Sequence, residues 1–192
     1  MRSPNAGAAS HHWPDQIDDR VAADLIILLN SSVADGGTLG YEQALTPQEQ
    51  VQFIAGLRVG IASGRTHLLL GRVDGRPAFM ALLRLNGMAN CRHRAELAKG
   101  VVHPEFRGLH LVQLAFREIV RLAERLDVEQ LVLDVREHTR AHRLWQLFGF
   151  ETYGVLEDYA RVGGTVHRGH FMAQAVRSLR RRFDAPTAPT AH

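Results

Sequence analysis

The amino-acid sequence predicts one α/β domain, a mixed α+β sheet with helices on both faces, whose elements follow the order ααβββαβαββ. Three observations carry this prediction. Apolar residues recur at helical spacing near the start, an Asp-Gly turn then separates two apolar runs, and helical and extended patterns alternate to the end. The length of 192 residues suits one domain with a sizeable core, and 45% apolar with 22% charged residues is ordinary for a globular protein.

Two helices are predicted in the first third of the chain. The first spans Asp15 to Asn30, where apolar residues recur every three or four positions. The second begins at Pro47, because Thr46 is a suitable N-cap and Glu49 completes a capping box, and it ends at Gly64. The glycine-rich segment between the two helices is expected to be a loop.

The middle and the end of the chain predict a hairpin and then alternating elements. Asp74-Gly75 is a strong hairpin signal because an apolar run lies on each side of it. A third strand is predicted over Ala95–Val102. In chain order, the remaining predicted elements are a helix from about Leu109, a strand over Gln130–Val135, a helix closed by Gly149, and two strands over 151–159 and 170–176.

The two ends of the chain lack periodicity. Residues 1–12 and 178–192 are predicted to be disordered tails around a single domain at 13–177. The one dense basic run, Arg177 to Phe183, is interpreted as a solvated end, because a nucleic-acid surface would interleave its basic residues with aromatics and the net charge is only +3. No nucleic-acid partner is expected.

Composition also bounds the compartment and the cofactors. The longest apolar run, Leu25–Leu29, is far too short to cross a bilayer, and the first residues lack the apolar core of a secretory signal. The only cysteine, Cys91, excludes an intrachain disulfide, so a cytoplasmic protein without a membrane partner is expected. His138 and His142 could chelate a metal from one helix, but there is no HExxH motif and no obvious third ligand. No metal is predicted.

Two motifs in the second half carry a family resemblance. AELAKGVVHPEFRG, from Ala95 to Gly108, and AHRLWQLFGF, from Ala141 to Phe150, resemble the two diagnostic segments of the GNAT acyltransferase superfamily. The stretch 133–164 and the loop with Gly40-Tyr41 are similar to small-molecule acetyltransferases of the tabtoxin-resistance type. The resemblance covers about residues 15–176 and implies a sheet that splays between its fourth and fifth strands.

The resemblance implies an N-acyltransferase. Such an enzyme moves an acetyl or other short acyl group from acetyl-CoA, or a related acyl-CoA, to a primary amine of a small molecule, by direct attack in a ternary complex. It also implies a possible homodimer and an acceptor pocket built from Gly36–Leu45 and Tyr153–Gly164. The cofactor-binding residues that it implies are Gly100, Val101, Val102, Arg107, Gly108, Leu109, His110, Leu111, Val112, His138, Ala141 and Trp145.

The phosphate loop departs from the family form, Arg/Gln-x-x-Gly-x-Gly/Ala. Arg107 is present, but His110 and Val112 stand at the two small-residue positions. Glycine belongs there because a Cβ pushes pyrophosphate away from the backbone N–H groups of a helix N-terminus. Two interpretations stay open. Either His110 donates to phosphate and the loop binds, or the site is lost and the protein is a ligand- or partner-binding module, or uses another donor.

Two further residues are implied as catalytic. Glu96 stands where many family members place the general base, and burial in an apolar strand would disfavour its charged form; the alternative is an edge or solvent-facing Glu paired with Lys99 or Arg94. Trp145 replaces the tyrosine that protonates the leaving thiolate, and an indole is no practical acid. Either the thiolate leaves unassisted or another tyrosine acts, for which Tyr159 is named ahead of Tyr153. Trp145 itself has the spacing of a core residue.

Overall fold

The computed structural model describes residues 9–37 and 39–184. This part of the chain contains seven strands and five α-helices, in a single mixed sheet with the strand order β1-β2-β3-β4-β5-β7-β6, so the predicted mixed α/β fold is confirmed. The elements are β1 (Ala9–His12), α1 (Asp19–Ala34), α2 (Pro47–Ala62), β2 (Thr66–Val73), β3 (Arg76–Leu85), β4 (Arg94–Val102), α3 (Leu111–Arg125), β5 (Gln130–Arg136), α4 (Arg140–Leu147), β6 (Glu151–Val162), β7 (Thr165–Ala175) and α5 (Val176–Asp184).

The chain divides into two compact units. The first comprises the residues up to 87 together with 96–115, and the second comprises 88–95 together with the residues from 116 onward. The core of the first unit joins α1 and α2 to β2 and β3. It includes the fully buried residues Leu25, Leu28, Leu29, Leu68 and Leu70.

Local sequence signals explain how the first unit is assembled. The Thr46 hydroxyl accepts from the Glu49 N–H and the Glu49 carboxylate accepts from the Thr46 N–H, so the predicted capping box is confirmed. The hairpin is confirmed as well, because Asp74 and Gly75 both adopt positive φ, at 50° and 77°, as a two-residue type I′ turn requires. α1 begins four residues later than predicted, where the Asp18 carboxylate caps the Val21 N–H.

In the second unit, β7 pairs antiparallel with both β5 and β6. β6 carries a bulge between Leu156 and Ala160, where four residue steps oppose two on β7. Five aromatic rings form a cluster beside these strands, with Phe116 at its centre and only 2% exposed. The other four rings are those of Trp145, Phe148, Phe150 and Phe183.

Both predicted tails are partly wrong. Residues 9–12 form β1, which pairs antiparallel with β2 from Ala9↔Val73 to His12↔Leu70. The basic run lies in α5, an ordered helix whose Val176 and Leu179 are buried at 3% and 0% exposure. Residues 1–8 and 185–192 lie outside the described residues. No helix in the described ranges is long and apolar enough to span a membrane.

Candidate functional site

The end of β4 is irregular. Lys99 has φ of 50°, and Gly100 after it is exposed. Ala98 and Val101 contact the same core although they are three residues apart, whereas a regular strand places every second residue on one face. One extra residue therefore interrupts the alternation, as in a β-bulge. Gly100, Val101 and Val102, the predicted partners of the pantetheine arm, form this irregular strand end.

Lys99 ties the α1–α2 loop to β4. Its ammonium group donates to the Leu39 carbonyl oxygen and lies 5.0 Å from the centroid of the Tyr41 ring. Burial, and then the nearby Glu49 carboxylate, raise the pKa of the Tyr41 hydroxyl. The loop predicted to form part of the acceptor pocket is thus held beside the bulge.

The environment of Glu96 differs from the expectation. The side chain is 41% exposed and lies 3.5 Å from the Arg84 guanidinium on β3, so it is neither buried nor paired with the predicted Lys99 or Arg94. The expected partners were wrong because Arg84 is on β3 and meets Glu96 on β4 only across neighbouring strands, which local sequence does not indicate. Arg84 also lines a cleft of about 290 Å³ whose other residues are Gln52, Phe53, Gly56, Leu57, Thr66 and Leu82.

The loop that precedes α3 has the backbone form of a glycine-rich turn. Gly108 and His110 both have positive φ, at 82° and 57°, a region that favours glycine. The His110 carbonyl accepts from the Leu114 N–H at 3.2 Å and so opens the helix. The His110 side chain is exposed. The histidine therefore adopts a backbone conformation that favours glycine.

Other residues of this loop are divided between the core and the surface. Leu111 is buried and anchors the first turn of α3, and Leu109 and Val112 are half-buried. A Cβ added to Gly108 would meet no atom within 4 Å. Arg107 binds the Asp35 carboxylate at 2.6 Å, with both side chains 38% exposed. Asp35 is the C-cap of α1, where a negative charge opposes the helix dipole, and Arg107 offsets this charge.

The two candidate metal ligands, His138 and His142, have different environments. His138 precedes α4, whose N-cap is Thr139, so the expectation of two histidines on one helix is wrong. The His138 ring is 88% exposed and lies 3.2 Å from Glu137, whereas His142 is buried and stacks on His170 at 4.3 Å between ring centroids. Over the described ranges, no group of three or more His, Cys, Asp and Glu residues is arranged to hold a metal ion.

A polar network at the end of β5 escaped sequence reasoning. The Glu137 carboxylate binds the His170 Nε2 at 2.9 Å and the Arg168 guanidinium at 3.3 Å, and the hydrogen bond with His170 is the main cause of its lowered pKa. Burial lowers the pKa of His142, and the buried His142 Nε2 has no hydrogen-bond partner in the described chain. The two-residue spacing of Arg168 and His170 in β7 is the only sequence signal for this network.

Trp145 is part of the aromatic cluster. Its ring lies 5.5 Å from Phe116 and 5.6 Å from Phe150, between centroids. These contacts favour the interpretation of Trp145 as a packing residue. Ala141, one turn earlier on α4, is exposed.

Tyr159 is held on both its ring and its hydroxyl. The ring covers Gly169, where an added Cβ would lie 2.1 Å from the Tyr159 Cγ. The hydroxyl donates to the Asp134 carboxylate. Burial, and then this hydrogen bond, raise the pKa of Tyr159, so the hydroxyl releases its proton less readily than a free tyrosine. These contacts argue against Tyr159 as the acid, while Tyr153 is largely exposed.

Comparison with known proteins identifies a matching family and several similar folds. A family model described as "Acetyltransferase (GNAT) family" matches residues 41–150, more than half of the chain. The fold is similar to that of a "putative phosphinothricin N-acetyltransferase", with TM-score 0.73 and 16% identity over 88% of this chain and 99% of the other. It is also similar to yncA from Salmonella typhimurium, described "with its cofactor Acetyl-CoA", with TM-score 0.70 and 17% identity over 96% and 99% of the two chains. An acetyltransferase of the GNAT family from Streptococcus pneumoniae gives TM-score 0.66 and 21% identity over 88% and 99%.

Proposed function

This chain belongs to the GNAT acetyltransferase family, and on that premise we propose that it moves an acetyl or other short acyl group from acyl-CoA to the primary amine of a small molecule. The observation that carries the proposal is the turn at 107–112, where two left-handed residues lead into α3. Backbone N–H groups at such a helix start suit an anion such as the pyrophosphate of coenzyme A. The finer resemblance to the tabtoxin-resistance type remains a prediction.

Donor binding requires Arg107 to change partner. Arg107 binds Asp35 in this structure, and both side chains are exposed enough for the pair to open at little cost. The Arg107 guanidinium would then donate to pyrophosphate, and the exposed His110 imidazole would be a second donor. His138, Ala141 and Trp145 stay predicted donor-binding residues on the family resemblance alone.

The chemical step needs one base. A neutral amine attacks the thioester carbonyl carbon, a C–N bond forms, the C–S bond breaks, and the electron pair leaves with sulfur as the thiolate of coenzyme A. Glu96 would accept the proton that the amine loses, directly or through a water, and Arg84 would fix the carboxylate. Base catalysis of this kind contributes about 10²–10⁴-fold. The thiolate leaves unassisted, because a thiol pKa of about 8.5 makes it a good leaving group.

The acceptor is proposed to be small. The cleft of about 290 Å³ beside Arg84 has apolar walls from Phe53, Leu57 and Leu82. The α1–α2 loop held by Lys99 belongs to the same unit. These features support an acceptor that combines an amine with a compact apolar part.

We also propose a cytoplasmic homodimer. The edge strand β6 exposes Tyr153, Val155 and Leu156 at 65%, 43% and 48%, which favours contact with a second copy. Light scattering of the pure protein checks the dimer. A monomer at all concentrations would remove this part of the proposal.

A second candidate function is a binding module that no longer transfers acyl groups. The Arg107–Asp35 ion pair and the histidine in a glycine position favour it, since both compete with the phosphate contacts. The two candidates differ in whether thiol is released when acyl-CoA and amines are supplied together.

Calorimetry with acetyl-CoA and with free coenzyme A tests the proposal. We expect binding, and we expect His110→Gly to change the affinity roughly 10-fold, upward if the imidazole obstructs and downward if it donates. Asp127→Gly is the matched control, because Asp127 also has positive φ, at 55°, but follows α3. No heat at millimolar ligand with either the parent or His110→Gly would overturn the proposal. Binding without thiol release across a panel of amines would select the module.

A further inference from the structure

Positive charge is concentrated on two helices of the second unit. Residues 117–125 of α3 and the helix α5 together contain seven arginines and three acidic residues. The formal charge of the entire chain is +3, so this pair of helices alone accounts for the excess. The basic run that composition marked as a solvated end is instead one wall of a structured surface.

A cleft lies within this charged surface. It has a volume of about 300 Å³ and is lined by Arg117, Val120, Arg121, Arg180 and Phe183. Arg117 and Arg121 are one turn apart on α3, so their guanidinium groups extend from the same face. Arg180 approaches from α5, which gives the cleft cationic groups on both walls.

The ion pairs do not neutralise all the positive charge of the cleft. Arg121 binds Glu118 at 2.6 Å and Arg180 binds Glu124 at 2.7 Å. Among the described residues, Arg117 has neither an ion-pair partner nor a hydrogen-bond partner. Arg117 therefore adds positive charge to the cleft that no carboxylate among the described residues pairs with.

Packing keeps the two walls in place. Val120 and Leu179 are 1% and 0% exposed, so each helix is anchored in the core of this unit. The Phe183 ring stacks on Phe116 at 5.8 Å between centroids. The arginines thus extend from a fixed apolar base rather than from a mobile tail.

We propose that this cleft binds a small phosphorylated ligand, with its phosphate between Arg117, Arg121 and Arg180. Guanidinium groups suit phosphate because their paired N–H donors match its oxygens. The ligand is compact, since a cleft of about 300 Å³ is at the lower end of the range for small-molecule sites. Phe183 provides the surface for its apolar part. The site lies wholly in the second unit and uses none of the residues proposed for acyl transfer.

Calorimetry at physiological ionic strength with inorganic pyrophosphate and with adenosine monophosphate tests the site. Arg117→Gln and Arg180→Gln are each expected to weaken binding about 10-fold, the size of a lost charge-assisted hydrogen bond. Arg125→Gln and Arg177→Gln remove the same charge from the same helices outside the cleft. They are expected to change affinity less than about two-fold because salt screens the more distant charges.

The outcomes distinguish the cleft from a diffuse basic surface, from a nucleic-acid surface and from the loop before α3. Tighter binding of the nucleotide than of pyrophosphate supports a role for Phe183, and equal binding supports recognition of phosphate alone; both uphold the site. Equal losses in the cleft and control variants overturn it in favour of a diffuse basic surface. An oligonucleotide that binds more tightly than pyrophosphate and the nucleotide, again with equal losses in the cleft and control variants, overturns it in favour of a nucleic-acid surface. Loss with Arg107→Gln but not with the cleft variants assigns the ligand to the loop before α3, and no heat at millimolar ligand also overturns the site.

Discussion

The loop at 107–112 and the aromatic cluster around Phe116 both depart from the family pattern, but in different physical settings. In the loop, Arg107 and its partner Asp35 are 38% exposed, and the His110 side chain is exposed. In the cluster, Trp145 contacts two rings, and Phe116 is 2% exposed. Packing thus accounts for a tryptophan in place of a tyrosine. It does not account for His110 in place of a glycine, because the role of that residue depends on whether the loop binds a ligand.

The largest expected effect tests the cluster. Phe116→Ala removes the ring that four others contact and should lower the free energy of unfolding by about 3–5 kcal/mol. Phe106→Ala is the control near the loop, where the ring contacts His103 and the Arg76 guanidinium, and it should cost about 1 kcal/mol. Urea unfolding measures both. Equal losses would show that the cluster is no more tightly packed than the loop.

The next effect is kinetic and concerns the exposed residues of the first unit. Glu96→Gln should lower turnover by at least about 10²-fold with little change in donor affinity, because the amide cannot accept the proton. Stability should change by less than about 1 kcal/mol, since the lost ion pair with Arg84 is exposed. Glu105→Gln makes the same change in another exposed ion pair, with Arg76, and should leave turnover intact. An unchanged rate for Glu96→Gln would remove it from the mechanism.

A smaller effect distinguishes packing from acid catalysis at Tyr159. Tyr159→Phe keeps the ring over Gly169 and removes the hydrogen bond to Asp134, so stability should fall by about 1 kcal/mol. Turnover should stay within about two-fold, because the hydroxyl has a raised pKa and is a poor acid. Tyr153→Phe is the control for an exposed hydroxyl. A drop in kcat of about 10-fold for Tyr159→Phe alone would restore it as the acid.

Much of the architecture follows from signals within a few residues of each other. The capping box at Thr46 and Glu49, the turn at Asp74-Gly75 and the spacing of apolar residues were sufficient to place the helices and the hairpin. β1 was not predictable, because Ala9–His12 has no apolar alternation and forms a strand only where β2 offers a free edge. α5 was hidden because its two buried residues are outnumbered by arginines.

The site was less predictable than the fold. The motif predicts a glycine at the position of His110, and the φ of 57° there is in the region that favours glycine, but the role of this loop in phosphate binding stays a prediction. The ion pairs that decide the charge of the site could not be found, because Arg107 and Asp35 are 72 positions apart and Arg84 meets Glu96 across neighbouring strands. Such pairings depend on the completed sheet rather than on local pattern.

The smallest expected effect is a pH dependence in the second unit. Burial lowers the pKa of His142, so the unfolded chain takes up a proton more readily below about pH 6.5. Stability is then complete above that pH and declines as the pH falls through it. His142→Phe keeps a ring against His170 and should reduce this decline between about pH 7.5 and about pH 5.5. Urea unfolding at each pH measures the free energy of unfolding. An equal decline with falling pH in the parent and in His142→Phe would contradict the assignment.

The short strand β1 matters to more than its length suggests. It covers the outer edge of β2, whose Leu68, Leu69 and Leu70 are fully buried. A protein that began at Trp13 would present that edge as a row of unpaired N–H and C=O groups, which is a template for pairing with another chain. Four residues with no conspicuous pattern therefore act as the molecule's protection against aggregation, and shortened forms should self-associate as their concentration rises.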